Sequence, residues 1–97
     1  MAHYLMLATY TAQGVSAIQD TVKRVQSVKA LAKKAGVVMT ETYWTLGPVD
    51  VAAIFEAPDD ETMTAFSLSI AKLGNVRTQT LRAFTAEEMR KVLEKLV

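Results

Sequence analysis

The chain has no cysteine, one histidine, one tryptophan and two prolines among its 97 residues. Without cysteine there is neither a disulfide framework nor a thiol nucleophile, and the composition suits a reducing cytoplasm. The lone histidine, His3, leaves none of the His/Cys spacings from which a metal site is read. No metal and no cofactor are expected. Charge of one sign is also lacking: 11 basic against 10 acidic residues give a net charge of +1. That balance removes the bulk electrostatic case for nucleic acid or an acidic membrane surface as a partner. No run approaches the roughly 20 apolar residues of a membrane helix. The apolar stretch at the N-terminus is too short, and lacks the basic flank, for a signal peptide. With no repeat, linker or low-complexity segment either, one cytoplasmic domain over residues 1–97 is expected.

What the chain does have is apolar surface. Hydrophobic residues make up 51% and charged residues 22%, slightly more grease than one small core absorbs. Tyr4–Tyr10 reads as a first strand that is apolar on both sides, and Thr11-Ala12-Gln13-Gly14 as a turn. Asp20 is a candidate N-cap for a helix with Val22, Val25, Val28, Leu31, Ala32 and Ala35 at helical spacing, stopped by Gly36. Val37–Leu46 reads as a second strand, rich in Thr and aromatic residues. Gly47-Pro48-Val49-Asp50 turns it back into a third strand, Val51–Phe55. Pro58 and Asp59 open a second helix with Asp59, Asp60 and Glu61 at the positive end of its dipole. Its buried stripe is Met63, Phe66, Ile70 and Leu73, and Gly74 stops it. Asn75–Phe84 is a fourth strand. Thr85-Ala86-Glu87-Glu88 is a capping box for a terminal helix with Met89, Val92, Leu93 and Leu96 on one side.

The order βαββαβ plus a C-terminal helix specifies an α+β, ferredoxin-like antiparallel sheet. Its two helices cover one face, so the strands should alternate apolar and polar residues. The third strand does not: Val51, Ala53 and Phe55 point one way, while Ala52 and Ile54 point the other. Leaving such side chains in water forfeits about 1.5–3 kcal/mol each, against a total stability of about 5–15 kcal/mol. A second copy of the chain is expected to cover that face, with the terminal helix as the competing cover. The exposed edges of strands two and four leave room for a higher homo-oligomer.

Three segments resemble the GYD family of small bacterial and archaeal proteins in the dimeric α/β-barrel superfamily. They are Tyr10–Gly14, the Gly47–Asp50 hairpin leading into Glu56-Ala57-Pro58-Asp59-Asp60, and Gly74–Phe84. The resemblance implies a homodimer whose paired sheets enclose a small barrel. It supplies no reaction. Val49 stands beside Asp50 where the family's namesake motif has tyrosine, so any role of that phenol is missing here.

Candidate site residues are few. Arg77 and Arg82, five residues apart, lie on opposite faces of the fourth strand, and whichever points inward needs a carboxylate such as Glu56 or Glu41. The functional reading is an arginine holding an anionic ligand; the structural one is an ion pair that fixes register. Tyr43 and Trp44 also face opposite ways, and suit either packing or the wall of a pocket. Asp50, after a Gly-Pro turn, reads as a turn-former, and His3 as a solvated terminal residue. Ser67 and Ser69 have no base at a recognised spacing. Lys23, Arg24, Lys29, Lys33 and Lys34 read as the solvated side of the first helix. RNA-recognition motifs share the βαββαβ order, but the third strand lacks their basic, aromatic signature.

Three functions are therefore in play. The first is a homodimer binding a small hydrophobic or anionic ligand between its sheets, with Tyr43, Trp44, Glu56, Arg77 and Arg82 as ligand contacts. The second, by superfamily analogy alone, is a cofactor-independent enzyme of monooxygenase or isomerase type acting on a small aromatic or carbonyl compound. The third is a structural or regulatory protein-interaction module that uses the terminal helix.

Overall fold

A computed structural model describes residues 1–97. The chain runs β1 (Ala2–Tyr10), α1 (Ala12–Ser16), a 3₁₀ turn (Ile18–Asp20), α2 (Thr21–Lys34), β2 (Val38–Trp44), β3 (Val51–Ala57), α3 (Asp60–Ala71), β4 (Val76–Ala83) and α4 (Ala86–Leu93). The strands form one antiparallel sheet in the order β2-β3-β1-β4. This is the ferredoxin-like α+β arrangement, with the additional C-terminal helix present.

The local signals act as their chemistry dictates. Asp59 caps α3 by accepting the Thr62 N–H at 2.8 Å. Thr85 and Glu88 close the capping box of α4, each side chain accepting the other's backbone N–H, at 3.1 and 2.9 Å. Gly36 leaves α2 at φ +77°, a left-handed conformation that favours glycine. Two expectations need correction. The expected Thr11–Gly14 turn is the start of α1, capped by Thr11, whose hydroxyl oxygen accepts the Gly14 N–H at 3.1 Å. Asp20 sits at the N-cap position of α2 but makes no side-chain capping bond, because the preceding 3₁₀ turn already orders the chain there. Val22, which falls in the apolar periodicity of α2, is half exposed.

Alternation assigns the strand residues to two faces. Tyr4, Met6 and Ala8 of β1 and Ala53, Phe55 and Ala57 of β3 are buried under the helices. Phe66, Met63 and Ile70 of α3 meet them, with the Phe55 and Phe66 rings edge to face at 5.3 Å. Ala32 of α2, Val37 and Met39 complete the core. The Tyr4 hydroxyl reaches the helix layer's edge and donates to Asp60 Oδ1 at 2.5 Å. Burial, reinforced by that carboxylate, pushes the Tyr4 phenol up to about 12.

Gly14 is where α1 presses on the start of β4. A Cβ there would stand 2.0 Å from the Asn75 carbonyl oxygen. The same junction is tied by Thr11 N–H to Asn75 O at 3.1 Å and by Gln13 Nε2 to Asn75 Oδ1 at 3.0 Å. Backbone on backbone leaves nothing flexible to move aside. Gly14→Ala is therefore expected to lose about 1–3 kcal/mol of stability in urea denaturation, the range for overpacking a tight site. An unchanged midpoint would show that the junction is loose.

Candidate interaction face

The outer face of the sheet is built from the residues left over by the core. Cross-strand register sets them in three rows: Tyr43, Ala52, Leu7 and Gln79; Glu41, Ile54, Leu5 and Leu81; Val38, Glu56, His3 and Ala83. The middle of this face is apolar. Leu81, Tyr43 and Val38 are 48%, 57% and 47% exposed, and Leu5, Leu7 and Ile54 are partly shielded only by their neighbours. Glu41, Gln79 and the Glu56–His3 pair lie at its margins, with Arg77 beside Thr9 beyond the first row. Four strands about 4.8 Å apart and about seven residues long give the whole face, polar margins included, a footprint of roughly 400 Å². An apolar centre inside a polar rim is also how protein interfaces are organised. The terminal helix is not the cover, since Met89, Val92, Leu93 and Leu96 all remain exposed.

At one end of this face sits a polar cluster. His3 Nε2 lies 3.6 Å from Glu56 Oε1, and His3 Nδ1 lies 3.5 Å from Glu88 Oε1. Arg82 Nη2 lies 3.6 Å from Glu88 Oε2, while Arg82 Nη1 donates to the His3 carbonyl at 3.3 Å and to that of Ala83. The Arg82 guanidinium also stacks over the Phe84 and Tyr4 rings, 4.7 and 5.6 Å from their centroids. Glu88 thus joins the start of α4 to both faces of the sheet. The backbone N–H of Thr85, its hydroxyl, Arg82 and His3 together hold the Glu88 carboxyl below the usual glutamate range.

The five residues singled out in the sequence do not converge. Tyr43 and Glu56 lie on the outer face in different rows, and Arg77 sits on the same face at its far end. Arg77 lines a recess with Leu7, Pro48, Val49 and Gln79, beside the Gly47–Asp50 hairpin. Trp44 is on the helix side, where its Nε1 donates to Thr21 Oγ1 at 3.1 Å. Arg82 is opposite Tyr4, also on the helix side. Neither arginine pairs with Glu41 or Glu56: Arg82 takes Glu88, and Glu56 takes His3. His3 is correspondingly a half-buried bridging residue and not a solvated one. The Asp50 carboxylate makes no bond within its own turn; it accepts the Tyr10 N–H at 2.8 Å and so ties the β2–β3 hairpin to the end of β1.

Arg24 also departs from its expected solvated place. Lys23, Lys29, Lys33 and Lys34 are exposed, but Arg24 folds back under α1 and donates to the Gly14 and Ala17 carbonyls at 3.0 and 3.3 Å. The carbonyls at the end of a short helix recruit it. Periodicity alone gives no sign of this, because α1 itself is not legible in the sequence.

The structure is thus an α+β ferredoxin-like sheet with one face covered by helices and one open apolar face. The model of the GYD domain family matches residues 4–93, and the chain belongs to that family. A Thermus thermophilus protein named glutamine synthetase and cystathionine beta-lyase binding protein is 30% identical over 90 residues, covering 92% of this chain and 95% of that one. Among solved structures, TTHA0845 from Thermus thermophilus is similar with a TM-score of 0.58 and 26% identity, over 89% of this chain and 96% of that one. A hypothetical protein of Pyrococcus horikoshii gives a TM-score of 0.63 at 17% identity, over 88% of this chain and 92% of that one; this likeness shows the fold alone. No helix is long and apolar enough to cross a membrane.

The sign of the Glu88 shift sets a pH dependence. Its folded value lies below the ordinary 4.5, so its capping contribution is present above that pH and is lost as pH falls through the lowered value. The protection factor of the Thr85 amide, whose N–H Glu88 Oε1 accepts, should therefore hold at pH 5 and fall on further acidification, each rate being taken against the intrinsic rate at that pH. Glu88→Ala should leave this amide with little protection at either pH. Equal protection in variant and parent would remove Glu88 as the tie between α4 and the sheet.

Proposed function

We propose that this chain is a cytoplasmic protein-interaction module, one domain over residues 1–97. It works as a homodimer joined through the open sheet faces and presents α4 to a partner enzyme. The observation that carries this reading is the apolar middle of the outer face, where Leu5, Leu7, Ile54 and Leu81 line up across three strands with no cover. Two such faces are self-complementary under a two-fold axis, and their packing encloses a small barrel. The capped, amphipathic α4, with its apolar stripe Met89, Val92, Leu93 and Leu96 exposed, is the form in which helices seat in partner grooves. The Thermus relative's name, which states that it binds two metabolic enzymes, favours a protein partner over catalysis here. A ligand between the sheets is the second reading. It is favoured by Arg77, which has no ion pair and lines the recess beside Val49.

Sedimentation velocity at micromolar concentration is expected to give a dimer for the parent chain and a monomer for Leu81→Arg, since two charges would be buried unpaired at the centre of the seam. A parent monomer would sink the dimer. A chain ending at Thr85 should still fold and dimerise but lose binding to purified glutamine synthetase in a titration that the full chain saturates. Unchanged binding by the shortened chain would take the partner surface away from α4.

A further inference from the structure

β4 is an edge strand, and its free side is regular. It pairs with β1 in unbroken register over all eight residues and contains neither proline nor glycine. The opposite edge, β2, is broken by a register shift between Met39 and Glu41, where the Thr40 hydroxyl donates to the Ile54 carbonyl at 3.1 Å. Just before β4, the Thr11 N–H donates to the Asn75 carbonyl at 3.1 Å. Alternation from that bond turns the backbone of Arg77, Gln79 and Leu81 towards β1, and that of Thr78, Thr80 and Arg82 to the free edge. Edges of this kind are blunted by bulges, prolines or charge, and β4 has only its two arginines. Arg82 is already held by Glu88 and two carbonyls, whereas Arg77 has no ion pair. The helix layer also stops short of this edge. A groove runs between Thr64, Ser67 and Leu68 of α3 and Thr78, Thr80 and Arg82 of β4, and Leu68 is 65% exposed. A strand added beside β4 turns alternate side chains into that groove and the others to the outer face.

We propose that the β4 edge takes up an extended segment of another protein, antiparallel to β4, with small apolar side chains against Leu68 and a carboxylate opposite Arg77. The free backbone groups of Thr78, Thr80 and Arg82 supply the affinity, as in strand addition generally. The groove and Arg77 supply the selectivity. An antiparallel segment reaches Arg77 with its C-terminal end, so the acid belongs there. A second β4 is the poorer occupant, because the arginines of both copies would enter one seam. The edge is separate from the open sheet face and from α4, and its use depends on neither.

The test titrates the full chain with an acetylated, amidated heptapeptide of alternating threonine and valine that ends in glutamate; the control peptide ends in lysine. The glutamate peptide is expected to shift the Thr78 and Thr80 amide resonances saturably and to slow their exchange with solvent. It should bind about threefold more tightly than the lysine peptide, the worth of one cross-strand charge pair. Arg77→Glu should reverse that preference. Thr80→Pro removes an outward N–H and no bond to β1, a place where an edge strand accepts proline, and should weaken binding about fivefold or more. Leu68→Glu leaves the edge intact and should weaken binding while the far-ultraviolet spectrum stays that of the parent. The proposal is overturned if no saturable shift appears up to about 5 mM, if Arg77→Glu keeps the parent's preference, or if Thr80→Pro and Leu68→Glu bind as the parent does. Protection of the Thr78 and Thr80 amides that rises with protein concentration in the absence of peptide would give the edge to a second copy, and overturns it as well.

Discussion

The structure turns on an inequality of area: a four-stranded sheet has two faces, and its two long helices cover one. Everything apolar on β1 and β3 must be allotted to one side or the other by alternation. β1 is central, flanked by β3 and β4, so it cannot shed its outward residues to a solvated edge. Tyr4, Met6 and Ala8 go under the helices, and Leu5 and Leu7 go to the other face. A polar choice at positions 5 and 7 would have closed the question of assembly. The leucines keep it open, and they give the outer face its apolar centre.

The same alternation explains how much was legible from sequence. Strand and helix spans follow from local signals that act alone: the Asp59 cap, the Thr85–Glu88 capping box, the glycine after each long helix. The two-sided character of β3 is legible for the same reason, because period-two alternation is a property of a single strand. The polar contacts are not legible. His3, Glu56, Arg82 and Glu88 meet only because antiparallel register sets His3 opposite both Glu56 and Ala83 and because α4 starts immediately beyond β4. Two chain ends converge there, and no spacing within either end announces it. Arg24 escapes for a related reason. Its place in the helical repeat marks it as outward, and only the short α1, whose capping threonine reads as part of a turn, pulls it inward.

Glu88 shows why that cluster matters to the rest. A helix as short as α4 has little stability of its own in water, and its apolar side stays largely exposed. What holds it in place is the reciprocal cap with Thr85 and the contacts of one carboxylate to His3 and Arg82. Such exposed polar ties are individually weak, but here they converge on the first turn, where orientation is set. The helix is thus aimed without being buried, and its apolar stripe is left free for another surface.

The cavity under α2 has its origin in small side chains. Ala8 and Ala53 form part of its floor, where β1 and β3 run side by side, and larger residues at either position would fill it. The space is a groove and not a closed void, since Ser27 and Leu73 at its rim are exposed. The helix layer therefore covers this part of the sheet without closing on it, and the same shortage of bulk on β1 and β3 that lets the helices approach leaves an apolar furrow beneath α2.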